Sequence, residues 1–516
     1  MRLVDHLDKG ASLDPDAPCL TMDGTSLSYA DVQAISHRAG RALAAHGIDS
    51  GDKVAILSAN DARAFSLVFA ISRAGAVWCP VNPRNEAEEN AQLLALFGVD
   101  LLLFHSSQAP LVDGIARALP DLRTVCLDDD GFEDWLGPDD AGTWVRPPVD
   151  DVVMLAGTGG TTGLPKGVPL TGTNLQVMTS IVLMRYPVEP RPTYLAVAPL
   201  THAAGVLTLP VMATGGETVV MARPDLDELQ RLVAAHGVTH TFLPPTLVYM
   251  LLDHERLDPG MLSSLRCLWY GAAPMSPTRL AQAIEVLGPV MAQLYGQTEA
   301  PMMIATMSPE EHLRPDGTPA IERFGAAGRP APLVMVRIVD NEGVVVPRGT
   351  PGEIVVRGPL VMPGYHQDPE ATAEATTADG WHRTGDIGVL SDDGWLSIVD
   401  RAKDMIITGG YNVFASQVEH AIMQLSAVRE CAVVGVPDDR WGERVAAVLE
   451  LHDGAEVSEE EVVAHVRAQI GAVKAPKQVE VWTTLPRSTV GKVVKADIRA
   501  ALGGPRVARP SPDGRE

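Results

Sequence analysis

Short apolar segments and amphipathic segments alternate along the first 130 residues of the chain. Segments 52–57 (DKVAIL) and 101–104 (LLLF) are typical of short strands, whereas 29–47 and 62–74 place apolar side chains at helical spacing. Helices that alternate with strands carry the chain back over a sheet, so that the strands run parallel. Because the same alternation recurs over 193–294, the sequence predicts an α/β fold with parallel-rich sheets and helices.

The spacing of the turns changes after residue 330. Short strand-like runs at 334–339, 352–357 and 395–399 are separated by Gly, Pro and Asp, which predicts a small β-rich subdomain. A polar junction at 400–404 (DRAKD) then leads into a compact unit. We expect a large N-terminal domain at 1–400, a small mobile α+β C-terminal domain at 401–502 and a disordered Pro/Gly-rich tail at 503–516.

The 516-residue chain carries a formal net charge of −24. Proteins that hold nucleic acid need many cations to neutralise phosphates, and anionic membrane surfaces attract cations too, so this charge argues against both partners. The charge is uneven, since residues 401–516 hold 15 basic and 16 acidic residues. The negative excess therefore lies in the first 400 residues, which indicates two bodies with different tasks.

The five cysteines are far apart and include no Cys-x-x-Cys pair. A disulfide framework or a structural zinc site is therefore not expected, and buried thiols in a reducing compartment fit better. The chain has no run of 18 apolar residues, and residues 1–10 lack the apolar core of a signal peptide. We expect a cytoplasmic protein without a membrane span, either a monomer or a homodimer.

A glycine-rich loop is the strongest chemical signal in the sequence. Residues 157–167 (GTGGTTGLPKG) follow a strand-like run at 152–155. Bare glycine backbone, threonine hydroxyls and one lysine supply the donors and the positive charge that a phosphate group needs. A flexible linker would require neither the strand before the loop nor the Pro165-Lys166 pair within it. The loop is therefore predicted to cradle phosphates.

Two common phosphate-binding patterns do not match this loop. A Walker A loop needs Gly-Lys-Ser/Thr in direct succession, whereas Gly167 follows Lys166 here. The dinucleotide fingerprint, started at Gly157, needs a glycine where Thr162 stands. The loop therefore belongs to a different class of nucleotide site.

The loop resembles the phosphate-binding signature of the adenylate-forming superfamily, which comprises acyl-CoA synthetases, adenylation domains of peptide synthetases and beetle luciferases. Other segments resemble the superfamily's motifs in the same order. They are 74–84 (AGAVWCPVNPR), 295–299 (YGQTE), 381–386 (WHRTGD), 400–404 (DRAKD) with 409–412 (GGYN), and 486–492 (PRSTVGK). The resemblance covers about residues 10–500, and the ordered set is far more specific than any single motif.

The resemblance implies an acid–thiol ligase that works in two steps. Attack of a carboxylate on the α-phosphate of ATP gives an acyl-AMP and pyrophosphate, and the thiol of CoA then displaces AMP. Both steps build negative charge, which placed cations and N–H donors stabilise. The implied cofactors and cosubstrates are ATP, Mg²⁺ and CoA, and the remaining partner is a small carboxylic acid.

The same motifs imply a nucleotide site. The loop would hold the β- and γ-phosphates, Thr162 and Glu299 would place Mg²⁺, and Asp386 and Arg401 would meet the ribose. Tyr295 would stack on the adenine, with a plain core position as the equally open alternative. The implied nucleotide- and CoA-binding residues are Thr158, Gly159, Gly160, Thr161, Thr162, Gly163, Lys166, Gly271, Ala272, Ala273, Tyr295, Gly296, Thr298, Asp386, Arg401, Gly409 and Gly410.

Lys492, Glu299 and His202 are the implied catalytic residues. Lys492 would bridge the substrate carboxylate and the α-phosphate during adenylation. Lys403 matches the hinge about which the C-terminal domain is expected to rotate, withdrawing Lys492 and bringing the glycine pair 409–410 toward the site. His202 matches the family's histidine on the acyl side, and a buried core histidine is the open alternative.

The segments implied to line the acyl pocket are 201–206, 244–250, 269–273 and 294–304, and they contain no Lys or Arg. A dicarboxylate would bury its second charge without a partner, which is costly, so a fatty, aromatic or polycyclic monocarboxylate is expected. One departure concerns the loop, because Gly159 stands where serine is commoner in the family.

The acceptor is expected to be CoA, because the Gly-Gly-Tyr-Asn stretch at 409–412 resembles acyl-CoA synthetases. Three alternatives stay open. The chain could load an acyl carrier protein as a free-standing adenylation enzyme, it could perform one half-reaction efficiently, or it could be a non-catalytic relative.

Overall fold

The computed structural model describes residues 1–138, 142–147, 151–158, 165–438, 440–487 and 493–503, without the side chains of Lys403 and Asn412. The helices in these ranges are α1 Leu3–Leu13, α2 Tyr29–Ala45, α3 Ala62–Arg73, α4 Ala87–Phe97, α5 Ala109–Ala118, α6 Phe132–Leu136, α7 Gly172–Arg185, α8 Ala203–Val206, α9 Thr208–Ala213, α10 Leu226–His236, α11 Pro245–Leu252, α12 Pro277–Leu287, α13 Pro369–Glu374, α14 Ala415–Ile422, α15 Glu459–Ile470 and α16 Lys495–Gly503.

The strands are β1 Pro18–Met22, β2 Thr25–Ser28, β3 Lys53–Leu57, β4 Val77–Pro80, β5 Leu101–Phe104, β6 Arg123–Cys126, β7 Val152–Thr158, β8 Lys166–Thr171, β9 Thr193–Ala196, β10 Glu217–Val220, β11 His240–Phe242, β12 Cys267–Tyr270, β13 Met291–Gln297, β14 Ala300–Met307, β15 Arg329–Pro330, β16 Met335–Val339, β17 Gly352–Arg357, β18 His382–Leu390, β19 Leu396–Arg401, β20 Ile406–Thr408, β21 Tyr411–Val413, β22 Val428–Asp438, β23 Gly442–Leu451 and β24 Gln478–Val481.

Two large sheets form most of the N-terminal part of the fold. One has the strand order β15-β14-β13-β12-β11-β9-β10-β1-β2, and the other has the order β6-β5-β3-β4-β7-β8. Their inner strands run parallel, while β2, β14 and β15 in the first sheet and β8 in the second pair antiparallel at the edges. The predicted α/β fold with parallel-rich sheets is confirmed.

Local sequence signals account for the first strand–helix units. Helix α3 begins after Asp61, whose carboxylate accepts a hydrogen bond from the backbone N–H of Ala64 at 2.7 Å. Every residue from Ala64 to Arg73 is buried, which fits a helix packed on both sides. The buried Arg73 guanidinium is compensated by the Asp8 carboxylate, with Nη1 3.1 Å from Oδ2.

Two smaller sheets follow. Strands β16-β17-β18-β19 form the antiparallel sheet expected beyond residue 330. Strands β21-β20-β23-β22, with β24 parallel to β23, form the sheet of the last unit, where α14 and α15 share one hydrophobic core and α16 lies in another. Among the described residues, no helix is long and apolar enough to cross a membrane.

Candidate active site

The glycine-rich loop joins two paired strands. Strand β7 extends to Thr158 and β8 begins at Lys166, and these two residues face each other across the antiparallel ladder. The Thr158 hydroxyl donates to the Lys166 carbonyl at 3.4 Å. The two strands that flank the loop in sequence therefore pair with each other at the edge of the six-stranded sheet. The predicted phosphate contacts of Gly159, Gly160, Thr161, Thr162 and Gly163 lie outside the described residues.

Lys166 and Glu299 both contact the side chain of Tyr365. The Lys166 ammonium is 4.8 Å from the centre of the Tyr365 ring, a cation–π geometry. The Tyr365 hydroxyl donates to Glu299 Oε1 at 2.9 Å. Burial, together with the negative charge of Glu299, raises the pKa of Tyr365, so its hydroxyl stays a donor.

Sequence reasoning missed Tyr365. Its local signal is the Pro363-Gly364 turn immediately before an aromatic residue, in which Gly364 has a φ of 149°. The Tyr365 backbone N–H donates to the Thr372 hydroxyl at 2.9 Å, which fixes the turn. The side chain that links the predicted phosphate lysine to the predicted metal carboxylate therefore comes from a segment outside the recognised motifs.

Glu299 sits in a tight hairpin. Thr298 and Glu299 connect β13 to β14, and the ladder is irregular beside Gly296. A Cβ at Gly296 would lie 2.4 Å from the Met302 backbone nitrogen, so only glycine fits there. Met302 itself has a φ of 59°, the left-handed region that a side chain disfavours. Such strain recurs at functional sites, and here it accompanies the close approach of the two strands.

Glu299 fits the role of a Mg²⁺ ligand. Its side chain is 8% exposed, and its backbone carbonyl accepts from the N–H of Met362 at 2.8 Å, so the residue is held at both ends. Among the described residues, no group of three or more His, Cys, Asp or Glu could hold a metal on its own. Mg²⁺ that is bound together with substrate phosphates needs only one or two protein ligands, and a buried carboxylate suits it. Thr162, the second predicted ligand, lies outside the described residues.

Asp386 is the centre of a second cluster. Tyr295 donates its hydroxyl to Asp386 Oδ2 at 2.7 Å, and Arg401 Nε lies 2.7 Å from Asp386 Oδ1. Asp386 and Arg401 also face each other across β18 and β19. Burial, followed by the Asp386 charge, raises the pKa of Tyr295 well above its ordinary value. The structure thus brings together the three residues predicted to meet the nucleoside.

The predicted nucleotide-binding residues Gly271, Ala272 and Ala273 form a turn beside this cluster. It follows β12, and a Cβ at Gly271 would lie 2.4 Å from the Leu294 carbonyl oxygen, directly before Tyr295 in β13. Ala272 has a φ of 65°, so it is a second residue of the site, after Met302, that adopts the left-handed region without being glycine. Ala273 completes the turn with a small side chain. Tyr295 is 8% exposed, and adenine stacking stays a prediction for it.

His202 lies at the start of α8 and is exposed to solvent, so the alternative of a buried core histidine is wrong. Its Nδ1 is 2.9 Å from the Thr201 hydroxyl oxygen, which orients the imidazole. Its catalytic role on the acyl side stays a prediction.

The structure describes only some of the residues that are expected to move with the C-terminal domain. Lys492 lies outside the described residues, and Lys403 occupies a short 3₁₀ turn at Ala402–Asp404. Gly409 and Gly410 are exposed and have φ values of 58° and 81°, which explains why glycine stands at both positions. The Gly409 N–H donates to the Trp441 carbonyl at 2.7 Å.

Comparisons with known proteins show the family of this chain. Residues 7–366 match the family model "AMP-binding enzyme", and residues 417–492 match "AMP-binding enzyme C-terminal domain". The chain is 35% identical to the medium/long-chain-fatty-acid–CoA ligase FadD8 of Mycobacterium tuberculosis, over 96% of this chain and 89% of that one. It is 36% identical to a feruloyl-CoA synthase of an Amycolatopsis species, over 96% and 97%.

The fold also matches a solved structure, that of the amide bond synthetase McbA from Marinactinospora thermotolerans. The TM-score is 0.88 at 32% identity, covering 97% of this chain and 100% of that one. The chain therefore belongs to the AMP-binding enzymes of the adenylate-forming superfamily, whose acid–CoA ligases use ATP, Mg²⁺ and CoA.

Proposed function

We propose that this enzyme is an AMP-forming ligase that activates an apolar monocarboxylic acid as its acyl-AMP and transfers the acyl group to CoA. The observation that carries the proposal is the Asp386 cluster. A buried carboxylate, held by Tyr295 and Arg401, can accept hydrogen bonds from both ribose hydroxyls of a nucleotide.

The catalytic roles follow from the charges that develop. Lys166 faces the phosphates, and Lys492 places its ammonium between the acid carboxylate and the α-phosphate, where it lowers the repulsion between two anions. Glu299 and Thr162 would hold Mg²⁺, which would supply positive charge to neutralise the phosphates. The acid carboxylate forms a bond to the α-phosphorus while the bond to pyrophosphate breaks.

An exposed aromatic residue in the last unit supports CoA as the acceptor. Trp441 is 37% exposed, with Lys477 Nζ 4.9 Å and Arg440 Cζ 5.0 Å from its ring centre. The Lys477 side chain is exposed, and its ammonium lies over this ring. Two cations held against one indole suit a ligand that carries several phosphates, as CoA does.

The acid is proposed to be fatty or aromatic. The segments implied to line its pocket contribute no Lys or Arg to pair a second carboxylate. The names of two relatives, a fatty-acid ligase and a feruloyl-CoA synthase, span these same two classes.

The test is a panel of fatty, aromatic and polycyclic acids assayed for pyrophosphate release with ATP and Mg²⁺, first without and then with CoA. We expect monocarboxylates to release pyrophosphate and CoA to yield the thioester, while malonate stays inactive. Trp441→Ala should raise the KM for CoA and leave acid-dependent pyrophosphate exchange unchanged. Acyl transfer to a carrier protein or an amine, with none to CoA, would refute CoA as the acceptor.

A further inference from the structure

One hydroxyl and one carboxylate join the last strand before the predicted hinge to the first helix after it. The Ser416 backbone N–H, in the first turn of α14, donates to Asp400 Oδ2 at 3.2 Å. The Ser416 hydroxyl donates to the carbonyl oxygen of Val399 in β19. Both bonds therefore run from α14 to the end of β19.

Asp400 is a buried charged residue, with only 6% of its surface exposed to solvent. Its other oxygen, Oδ1, accepts from the Arg401 backbone N–H at 2.8 Å. Burial raises the pKa of Asp400, and the positive charge of Lys495 opposes that rise. A buried carboxylate of this kind needs its N–H donors, so losing the Ser416 donor would leave it poorly compensated.

The charged groups around Asp400 come from α14, α16 and the hinge. Lys495 Nζ is 2.8 Å from Glu419 Oε1, and Arg499 Nη2 is 3.8 Å from Asp404 Oδ1. These two pairs join elements that all follow residue 403, so they would move together with the C-terminal domain.

The Ser416 bonds differ from those two pairs, because they cross the hinge. Val399 and Asp400 precede Lys403, whereas Ser416 follows it. A rotation about residue 403 carries α14 away from the end of β19 and must break both bonds. The orientation that they hold is one in which Gly409 and Gly410 are exposed to solvent.

We propose that Ser416 and Asp400 form an interdomain latch, which holds the C-terminal domain in an orientation that keeps the glycine pair out of the active site. The latch rests on the proposed two-step function, in which acyl transfer to CoA requires the rotation. The latch therefore slows acyl transfer more than it slows adenylation. Ser416 is a positioning residue, because it acts through the orientation of the C-terminal domain.

The test measures the two half-reactions separately in Ser416→Ala. Adenylation is followed by pyrophosphate exchange, and acyl transfer is followed by mixing prepared acyl-AMP with CoA. The substitution removes the hydrogen bond from the Ser416 hydroxyl to the Val399 carbonyl and keeps the backbone N–H that bonds Asp400. Loss of this one hydrogen bond should raise the ratio of acyl transfer to adenylation about fivefold. The matched control is Ser458→Ala, which removes a helix-capping hydroxyl from α15 away from the junction and should leave the ratio unchanged.

A folded Ser416→Ala protein with an unchanged ratio, or an equal change in Ser458→Ala, would overturn the latch. Asp400→Asn removes the negative charge that attracts the Ser416 N–H and should shift the ratio in the same direction, so it decides the matter if the alanine variant does not fold. A wild-type protein that performs neither half-reaction would instead refute the proposed function, and the latch with it.

Discussion

Tyr365→Phe isolates the contribution of one hydroxyl to the proposed metal site. The substitution keeps the ring on which the Lys166 ammonium lies and removes the donor that is 2.9 Å from Glu299 Oε1. Glu299 is 8% exposed, so water cannot readily replace that donor. A hydrogen bond to a charged group contributes about 1.5–3 kcal/mol, which corresponds to a ten- to hundredfold change in rate or binding.

We therefore expect adenylation kcat/KM for MgATP to fall about ten- to hundredfold in Tyr365→Phe, measured by pyrophosphate exchange over a range of Mg²⁺ concentrations. Tyr29→Phe is the matched control. The Tyr29 hydroxyl is also buried and donates to the Gly216 carbonyl at 2.7 Å, but it bonds a neutral group in another part of the fold. The control should lower thermal stability and leave the Mg²⁺ dependence unaltered.

Tyr365→Leu extends the test, because it removes the ring as well as the hydroxyl. Loss of the cation–π contact with Lys166 adds about 0.5–2 kcal/mol, so the adenylation rate should fall further than in Tyr365→Phe. If Tyr365→Phe stays within twofold of wild type, or if Tyr29→Phe shows the same loss, the role assigned to Tyr365 is wrong.

Three further predictions address the nucleoside site and stability. Arg401→Gln removes the cation next to Asp386 and should raise the KM for ATP about tenfold while the unfolding midpoint changes little, since the Arg401 side chain is 53% exposed. Gly271→Ala forces a Cβ against the Leu294 carbonyl and should cost about 1–3 kcal/mol in urea unfolding; an unchanged midpoint would contradict this. Burial lowers the pKa to about 4 for each of His6, His240, His312 and His382. Between about pH 6.5 and pH 4 the unfolded chain therefore binds more protons than the folded protein. The free energy of unfolding should be highest above about pH 6.5 and should decrease as the pH drops toward 4, which urea titrations at several pH values would check.

The fold was predictable where short-range signals determine it. Strand β5 occupies the segment expected, and α3 ends one residue before the predicted limit, because apolar periodicity and a capping aspartate are local properties. The pairing of Asp386 with Arg401 joins two motif residues that lie on adjacent strands.

The contacts that the sequence did not reveal are long-range ones. Tyr365 reaches Glu299 across 66 positions, and Ser416 reaches Asp400 across 16. Neither serine nor tyrosine carries a spacing signal for such a partner, because the contact depends on how two separately folded segments pack. Residues that position other residues could therefore be identified only from the three-dimensional structure.

The charge distribution explains why an acidic chain can hold a polyphosphate. Lys166 and Glu299 contact the same Tyr365 side chain, so this part of the described site is close to neutral and offers little attraction for ATP by itself. A triphosphate needs further positive charge, and in the proposed mechanism Mg²⁺ and Lys492 supply it. The nearly neutral segment 401–516, rather than the acidic first 400 residues, contributes Lys492. Adenylation should therefore depend on the orientation of the C-terminal domain as strongly as on the metal, because each supplies charge that the body of the enzyme lacks.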